Sequence, residues 1–227
     1  MENLEKHHNL NSLLYYDLST TALFKNHDNT LKPEIILNLQ NILRQNKINS
    51  VLYSDPFLKA GFIAKLVEDL KLDVLYLDLD LLYSGYIVSG MIKTPQNLTL
   101  FQPTFEILNN TLAKILVDLS TKKSVVIIDS LNGFFNMLNK KKDIGKLVTS
   151  YVMLLASIAY STGSYVVITS MVRFKKEEGW VLSPTGKRLI EAKNGEQILL
   201  EKNDQGIVLN FLDKKEKLVI PADSIPL

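Results

Sequence analysis

"SVVIIDSLNGFF", residues 124–135, holds the clearest buried strand of the chain. Val125, Val126, Ile127 and Ile128 are four β-branched residues in a row, and Asp129 ends the run. A short apolar run bounded by polar residues suits a strand covered on both faces. Helical periodicity flanks it. Upstream, "PTFEILNNTLAKILVDLS" (103–120) places Phe105, Leu108, Leu112, Ile115 and Leu119 on one stripe. Downstream, "IGKLVTSYVMLLASIAYS" (144–161) reads as a mostly apolar helix.

The same alternation extends outward. "SYVVITS" (164–170), "NLTLF" (97–101), "DVLYLDLD" (73–80) and "INSVLY" (48–53) read as strands. "GFIAKLVEDLKL" (61–72) carries Ile63, Leu66, Val67 and Leu70 at helical spacing. "LKPEIILNLQNILRQN" (31–46) reads as a helix with Pro33 in its first turn. "LLYYDLSTTALF" (13–24) fits strand or helix, and the first dozen residues read as a polar, frayed end. Apolar strands separated by helices imply a mostly parallel sheet with helices on both faces. After Ser170 the pattern changes. "VRF-KKEEG-WVL" looks like a hairpin, and residues 196–220 look like two or three antiparallel strands with turns at "NDQG" and "DKKE". The expected architecture is α/β with an antiparallel C-terminal β edge. Residues 48–227 form the domain, and 1–47 form an N-terminal extension whose helix packs on it.

Composition narrows the chemistry. The chain has 227 residues, 46% apolar and 22% charged, which is enough for a sizeable core. A net charge of +2 does not by itself imply nucleic-acid binding. There is no cysteine, so disulfides, thiol catalysis and thiolate metal sites are excluded. The apolar runs are strand-sized, no signal pattern opens the chain, and a soluble cytoplasmic protein with no membrane partner is expected. His7 and His8 sit in the polar N-terminus and His27 is distant from them, so no metal site is expected. "NLT" (97–99) and "NNT" (109–111) match the glycosylation pattern, which carries no meaning in a cytoplasmic chain.

The order of elements resembles the RecA-like ATPase core, in particular archaeal RadA-type recombinase paralogs and KaiC-like proteins. Three segments carry the resemblance: "SVVIIDSLNGFF" (124–135), "GSYVVITS" (163–170) and "LSPTGKRLIEAKNGEQILLEK" (182–202). The first resembles a Walker B strand ending in Asp129. The second resembles the next core strand, and the third the segment that returns the chain to the antiparallel edge. The resemblance covers roughly residues 48 to 212.

It implies a phosphate loop, G-x-x-x-x-G-K-[ST], between "INSVLY" and the following helix. That pattern falls on Ser54-Asp55-Pro56-Phe57-Leu58-Lys59-Ala60-Gly61. Ser54 and Lys59 replace the glycines, Ala60 the lysine and Gly61 the hydroxyl residue. Glycines let backbone N–H groups wrap phosphates, the lysine neutralises their charge and the hydroxyl ligates magnesium. Phe57 and Leu58 would crowd the cradle, and Asp55 would repel phosphate. Lys59 lies one residue early, a rotation of about 100° on a helix. The resemblance also implies a water-activating glutamate, whose place Asp80 takes with a shorter side chain, and a magnesium-holding acid at Asp129. Aspartates at strand ends also cap helices and bind backbone amides. Neither catalysis nor a bound cofactor is expected. ATP and magnesium would require a partner subunit that completes a shared site.

A second constellation lies at 171–188. Arg173, Lys175, Lys176, Lys187 and Arg188 interleave with Phe174 and Trp180. Recombinases place a DNA-contacting loop there, and basic residues with aromatics suit phosphate contact and base stacking. Glu177, Glu178 and the Val172, Phe174, Trp180, Leu182 alternation equally fit a solvated hairpin. "NKKKD" (139–143) is a second basic cluster. Tyr83, Tyr86, Ile87 and Met91 form a stripe that suits core packing or a neighbouring subunit. The expected function is a non-catalytic RecA-like scaffold in DNA repair or recombination. It would bind single-stranded DNA or RNA, a RecA-like partner, or further copies of itself. The alternatives are an Elongator-accessory-like ring subunit that associates with tRNA and a KaiC-like regulatory module.

Overall fold

The computed structural model describes residues 38–139, 141–177, 179–182, 195–214 and 216–226. Asn38–Leu227 forms one compact unit. Its strands are β1 (Ile48–Tyr53), β2 (Asp73–Asp78), β3 (Leu98–Phe101), β4 (Ser124–Asp129), β5 (Tyr165–Lys175), β6 (Gly179–Leu182), β7 (Gly195–Asn203), β8 (Gly206–Phe211) and β9 (Glu216–Pro221). Its helices are α1 (Pro56–Asp69), α2 (Leu82–Val88), α3 (Leu108–Thr121), α4 (Leu131–Met137) and α5 (Ile144–Ser161).

The sheet runs β3-β2-β4-β5-β1-β7-β8-β9. From β3 to β7 every pairing is parallel. β7–β8 and β8–β9 are antiparallel, which gives the expected edge. β6 lies off this path and pairs antiparallel with the extended end of β5. Parallel neighbours need crossovers, and the helices supply them.

Side chains alternate across each strand, so the two faces have separate cores. Leu75, Leu77, Val126, Ile128, Val166 and Ile168 pack with Leu112, Ile115 and Leu119 of α3 and Val148, Val152, Leu155 and Ala159 of α5. Residues of the opposite parity, including Val51, Val74, Val125, Ile127 and Val167, lie outside that cluster and are fully buried on the other face, where α1 packs against β1 and β7. Each fully buried aliphatic side chain contributes about 1.5–3 kcal/mol.

Several expectations change. Residues 31–37 of the helix expected over 31–46 lie outside the described residues, as do 13–24 and all three histidines. Within them, Leu39–Ile42 is a single 3-10 turn, and Leu43 is already extended. Buried Asn49 fixes this segment to β1: its amide accepts from the Arg44 N–H and donates to the Arg44, Lys47 and Val166 carbonyls. α3 starts at Leu108, so Phe105 falls in the preceding turn and is exposed. Of the 83–91 stripe, Tyr83 is buried and Met91 is exposed. By length and composition alone α5 is long and apolar enough to cross a membrane, a test that a core helix also passes. Here it packs on the sheet, with Val148, Val152, Leu155, Ala156 and Ala159 buried.

Candidate functional site

β1 ends at Tyr53 and α1 begins at Pro56, so only Ser54 and Asp55 connect them. Of the eight phosphate-loop positions, Pro56 to Gly61 are already helical. The local sequence explains this. Asp55 caps the helix: its Oδ1 accepts the Phe57 N–H at 2.8 Å and the Leu58 N–H at 3.4 Å. Pro56 has no N–H and its fixed φ suits the first turn. The Lys59 N–H already reaches the Asp55 carbonyl at 3.1 Å. From Pro56 to Lys59 the N–H groups that a phosphate would use are therefore absent or bound within the chain. Phe57 does not plug the turn. It is half-exposed and meets Tyr86 edge to face at 6.0 Å, while Leu58 is buried.

One turn into α1, Lys59 points down onto the sheet. It is 1% exposed, and its ammonium donates to Asp129 at 2.7 and 2.8 Å, one bond to each carboxylate oxygen. Asp129 is 0% exposed. The Tyr76 hydroxyl donates to its Oδ2 at 2.5 Å, and the Thr169 hydroxyl donates to its Oδ1. The Tyr53 ring lies 5.1 Å from the ammonium, and an Asp80 oxygen lies 3.9 Å away. Parity explains the convergence. Tyr53, Tyr76 and Asp129 lie near the C-terminal ends of β1, β2 and β4, and Thr169 near the end of the part of β5 that pairs with β1, all on the α1 face.

Burial pushes the Tyr76 phenol well up, and neighbouring Asp129 pushes it further, so it stays a donor to that carboxylate. Burial likewise raises Tyr53 and Tyr83. Asp78 is buried and accepts the Ser84 N–H at 2.8 Å, and burial raises its pKa from the ordinary 3.8. Asp80 lies two residues beyond β2, is 27% exposed, and sits over Gly133. A Cβ on Gly133 would lie 2.3 Å from an Asp80 oxygen and 2.9 Å from the Leu79 Cβ.

Among the phosphate-loop positions, then, the structure connects Lys59 to Asp129 and leaves Ser54, Ala60 and Gly61 outside that network. Among the described residues Asp129 neither caps a helix nor binds a backbone amide, as strand-end aspartates often do. Ser130 caps α4 instead, accepting the Gly133 N–H at 3.1 Å. Lys59 was legible in one respect. It falls on the apolar stripe of α1 with Ile63, Leu66 and Leu70, and a lysine on such a stripe demands a buried acid. Tyr76 and Thr169 carried no such signal. Among the described residues no group of three His, Cys, Asp or Glu side chains could hold a metal ion.

The ribbon of β5 and β6 separates what the sequence interleaves. Phe174 pairs with Trp180, Arg173 with Val181 and Lys175 with Gly179. Phe174 and Trp180 share one face with buried Val172, in edge-to-face contact at 5.5 Å, and are 63% and 39% exposed. Alternation sends Met171, Arg173 and Lys175 to the other face. Basic and aromatic groups therefore address opposite sides. Lys176 lies in the turn. Lys187 and Arg188 lie outside the described residues, as do most of 182–202 and Lys140 of the second basic cluster. Lys141 of that cluster lies over the Phe105 ring at 4.9 Å. Asn132, in the first turn of α4, ties down the root of the ribbon: its Oδ1 accepts the Met171 N–H at 2.8 Å and the Ser170 hydroxyl at 3.3 Å.

Among solved structures, the chain is similar to a crystal structure of the RadB recombinase. The TM-score is 0.55 and the identity 14%, covering 77% of this chain and 85% of that chain. The fold is RecA-like. At that identity the likeness shows the fold alone. No protein-family model matches the sequence, and no curated protein does.

Proposed function

We propose that this chain is a RecA-like scaffold that has given up nucleotide chemistry and binds single-stranded nucleic acid along its β5–β6 ribbon. The observation that carries the first half is the saturation of Asp129. A magnesium-holding acid needs a free oxygen and access to water. Asp129 has neither, because Lys59, Tyr76 and Thr169 occupy both oxygens in a fully buried position. The capped start of α1 supports the same conclusion independently.

The second half rests on Arg173, Lys175 and Lys176 at the exposed end of β5. Similarity to a protein named as a recombinase favours DNA repair or recombination as the setting. The exposed Phe174–Trp180 face favours a second reading, in which the ribbon seats on a RecA-like protein partner or another copy of the chain.

Fluorescence titration of labelled single-stranded DNA and RNA tests the proposal. Replacing Arg173, Lys175 and Lys176 together by Glu should weaken binding at least about tenfold and reduce the slope of log K against log salt by about 2. Tighter binding to RNA than DNA would move the setting toward RNA metabolism. Unchanged affinity and slope would remove the ribbon from nucleic-acid binding and leave the protein-partner reading.

A further inference from the structure

The buried network and the ribbon are physically continuous. Asp129 ends β4 and holds Thr169 of β5 on the α1 face of the sheet. Two residues later the chain leaves the sheet as the ribbon, whose pairing with β6 starts at Val172. Directly after Asp129, Ser130 caps α4, and Asn132 holds Ser170 and the Met171 N–H from the opposite side. The root of the ribbon is therefore gripped on both faces, and both grips depend on the position of the 129–132 segment. Beyond that root, β6 is the ribbon's pairing partner, and the facing Phe174 and Trp180 rings are exposed.

At its start the 129–132 segment is held by the Leu79 N–H on the Asp129 carbonyl and by Lys59 on the Asp129 carboxylate. The Lys59 ammonium is the cation on Asp129, delivered from α1, and Tyr76 and Thr169 supply neutral donors only. A buried carboxylate without a cation would seek water or shift its strand end. The position of this strand end thus depends on a side chain that is always present.

We propose that Lys59 is the positioning residue of the β5–β6 ribbon, holding its root through Asp129 so that the ribbon is ordered without any bound ligand. This rests on the scaffold function proposed above, and it makes nucleic-acid binding independent of nucleotide. Coupling of this kind travels through packed, hydrogen-bonded elements, and it counts only where a perturbation at one end is read at the other.

Trp180 makes that readout direct, because it is the single tryptophan of the chain and sits in the ribbon. The experiment is time-resolved anisotropy of Trp180 in the full chain, wild type against Lys59→Met/Asp129→Asn. The paired substitution avoids leaving a lone buried charge. With unchanged circular dichroism, the fast depolarising motion of Trp180 should grow, comparable to an order parameter falling from about 0.85 to below about 0.6. Affinity for labelled single-stranded DNA should fall about tenfold through lost preorganisation. Wild-type affinity should be the same with and without Mg-ATP.

Asn132→Ala supplies a second arm, removing only the hold on Met171 and Ser170. If the paired variant does not fold, Lys59→Met takes its place, and greater Trp180 motion in it supports the proposal. Unchanged motion in the folded variants overturns it. Greater motion with no DNA binding by wild type upholds the positioning role and removes the nucleic-acid function. Binding that requires Mg-ATP overturns both.

Discussion

Lys59→Met is the most informative single change. Methionine replaces the aliphatic stem in volume but leaves Asp129 buried with no cation. Removing one partner of a buried pair costs about 3–5 kcal/mol, much of it the penalty on the charge left behind. Asp129 keeps the Tyr76 and Thr169 hydroxyls, so the loss should fall near the lower limit, about 3 kcal/mol. For a chain of this size that is a fall in Tm of about 6–12 °C. Urea unfolding followed by circular dichroism measures it. Lys59→Met/Asp129→Asn should return to within about 1 kcal/mol of wild type, because no charge is then left buried without a partner. The double-mutant cycle should therefore show a coupling of at least about 2 kcal/mol. A single variant within about 0.5 kcal/mol of wild type would refute the reasoning, since that is the size expected of a surface substitution.

Other consequences are smaller but as specific. Asp55→Ala removes the cap of α1 and should cost about 1 kcal/mol in urea unfolding. Gly133→Ala drives a methyl against Asp80, the Leu79 side chain and the Leu79 backbone, and should cost about 1–3 kcal/mol by the same measurement. Asp78 gives a pH signature. Burial raises its folded pKa above 3.8, so its contribution to stability is complete below that pH and is lost as pH rises through the folded value. Asp78→Asn lacks this titration. Across a pH series of urea unfolding, its stability relative to wild type should rise over that window and then level. A flat difference would show that the fold leaves the Asp78 pKa at its unfolded value.

Most of the fold was legible because the parallel strands are continuous apolar runs. β1, β4 and α5 fall on the expected residues, and the antiparallel edge follows the expected turns. The N-terminal end of α3 was misread because Phe105 continues the periodicity of the helix while the chain there still turns. The site was half legible. Missing glycines, lysine and hydroxyl are visible in sequence, and so is Asp129. The role of Lys59 was not, since a shift of one residue was measured against a loop that this chain does not form. Asp55 and Pro56 start the helix early, and that places Lys59 one turn down, over the end of β4. The ribbon was legible as a hairpin from its alternation, but its two faces were not. Interleaving along the sequence becomes separation across a strand, and only the pairing of Phe174 with Trp180 fixes which residues share a face.

Isothermal titration calorimetry of the full chain with ATP and magnesium tests the central claim most directly. With Asp129 held by Lys59 and the start of α1 already capped, no saturable heat is expected up to millimolar ATP. A saturable isotherm in the micromolar range, lost in the Asp129→Asn variant, would contradict the account.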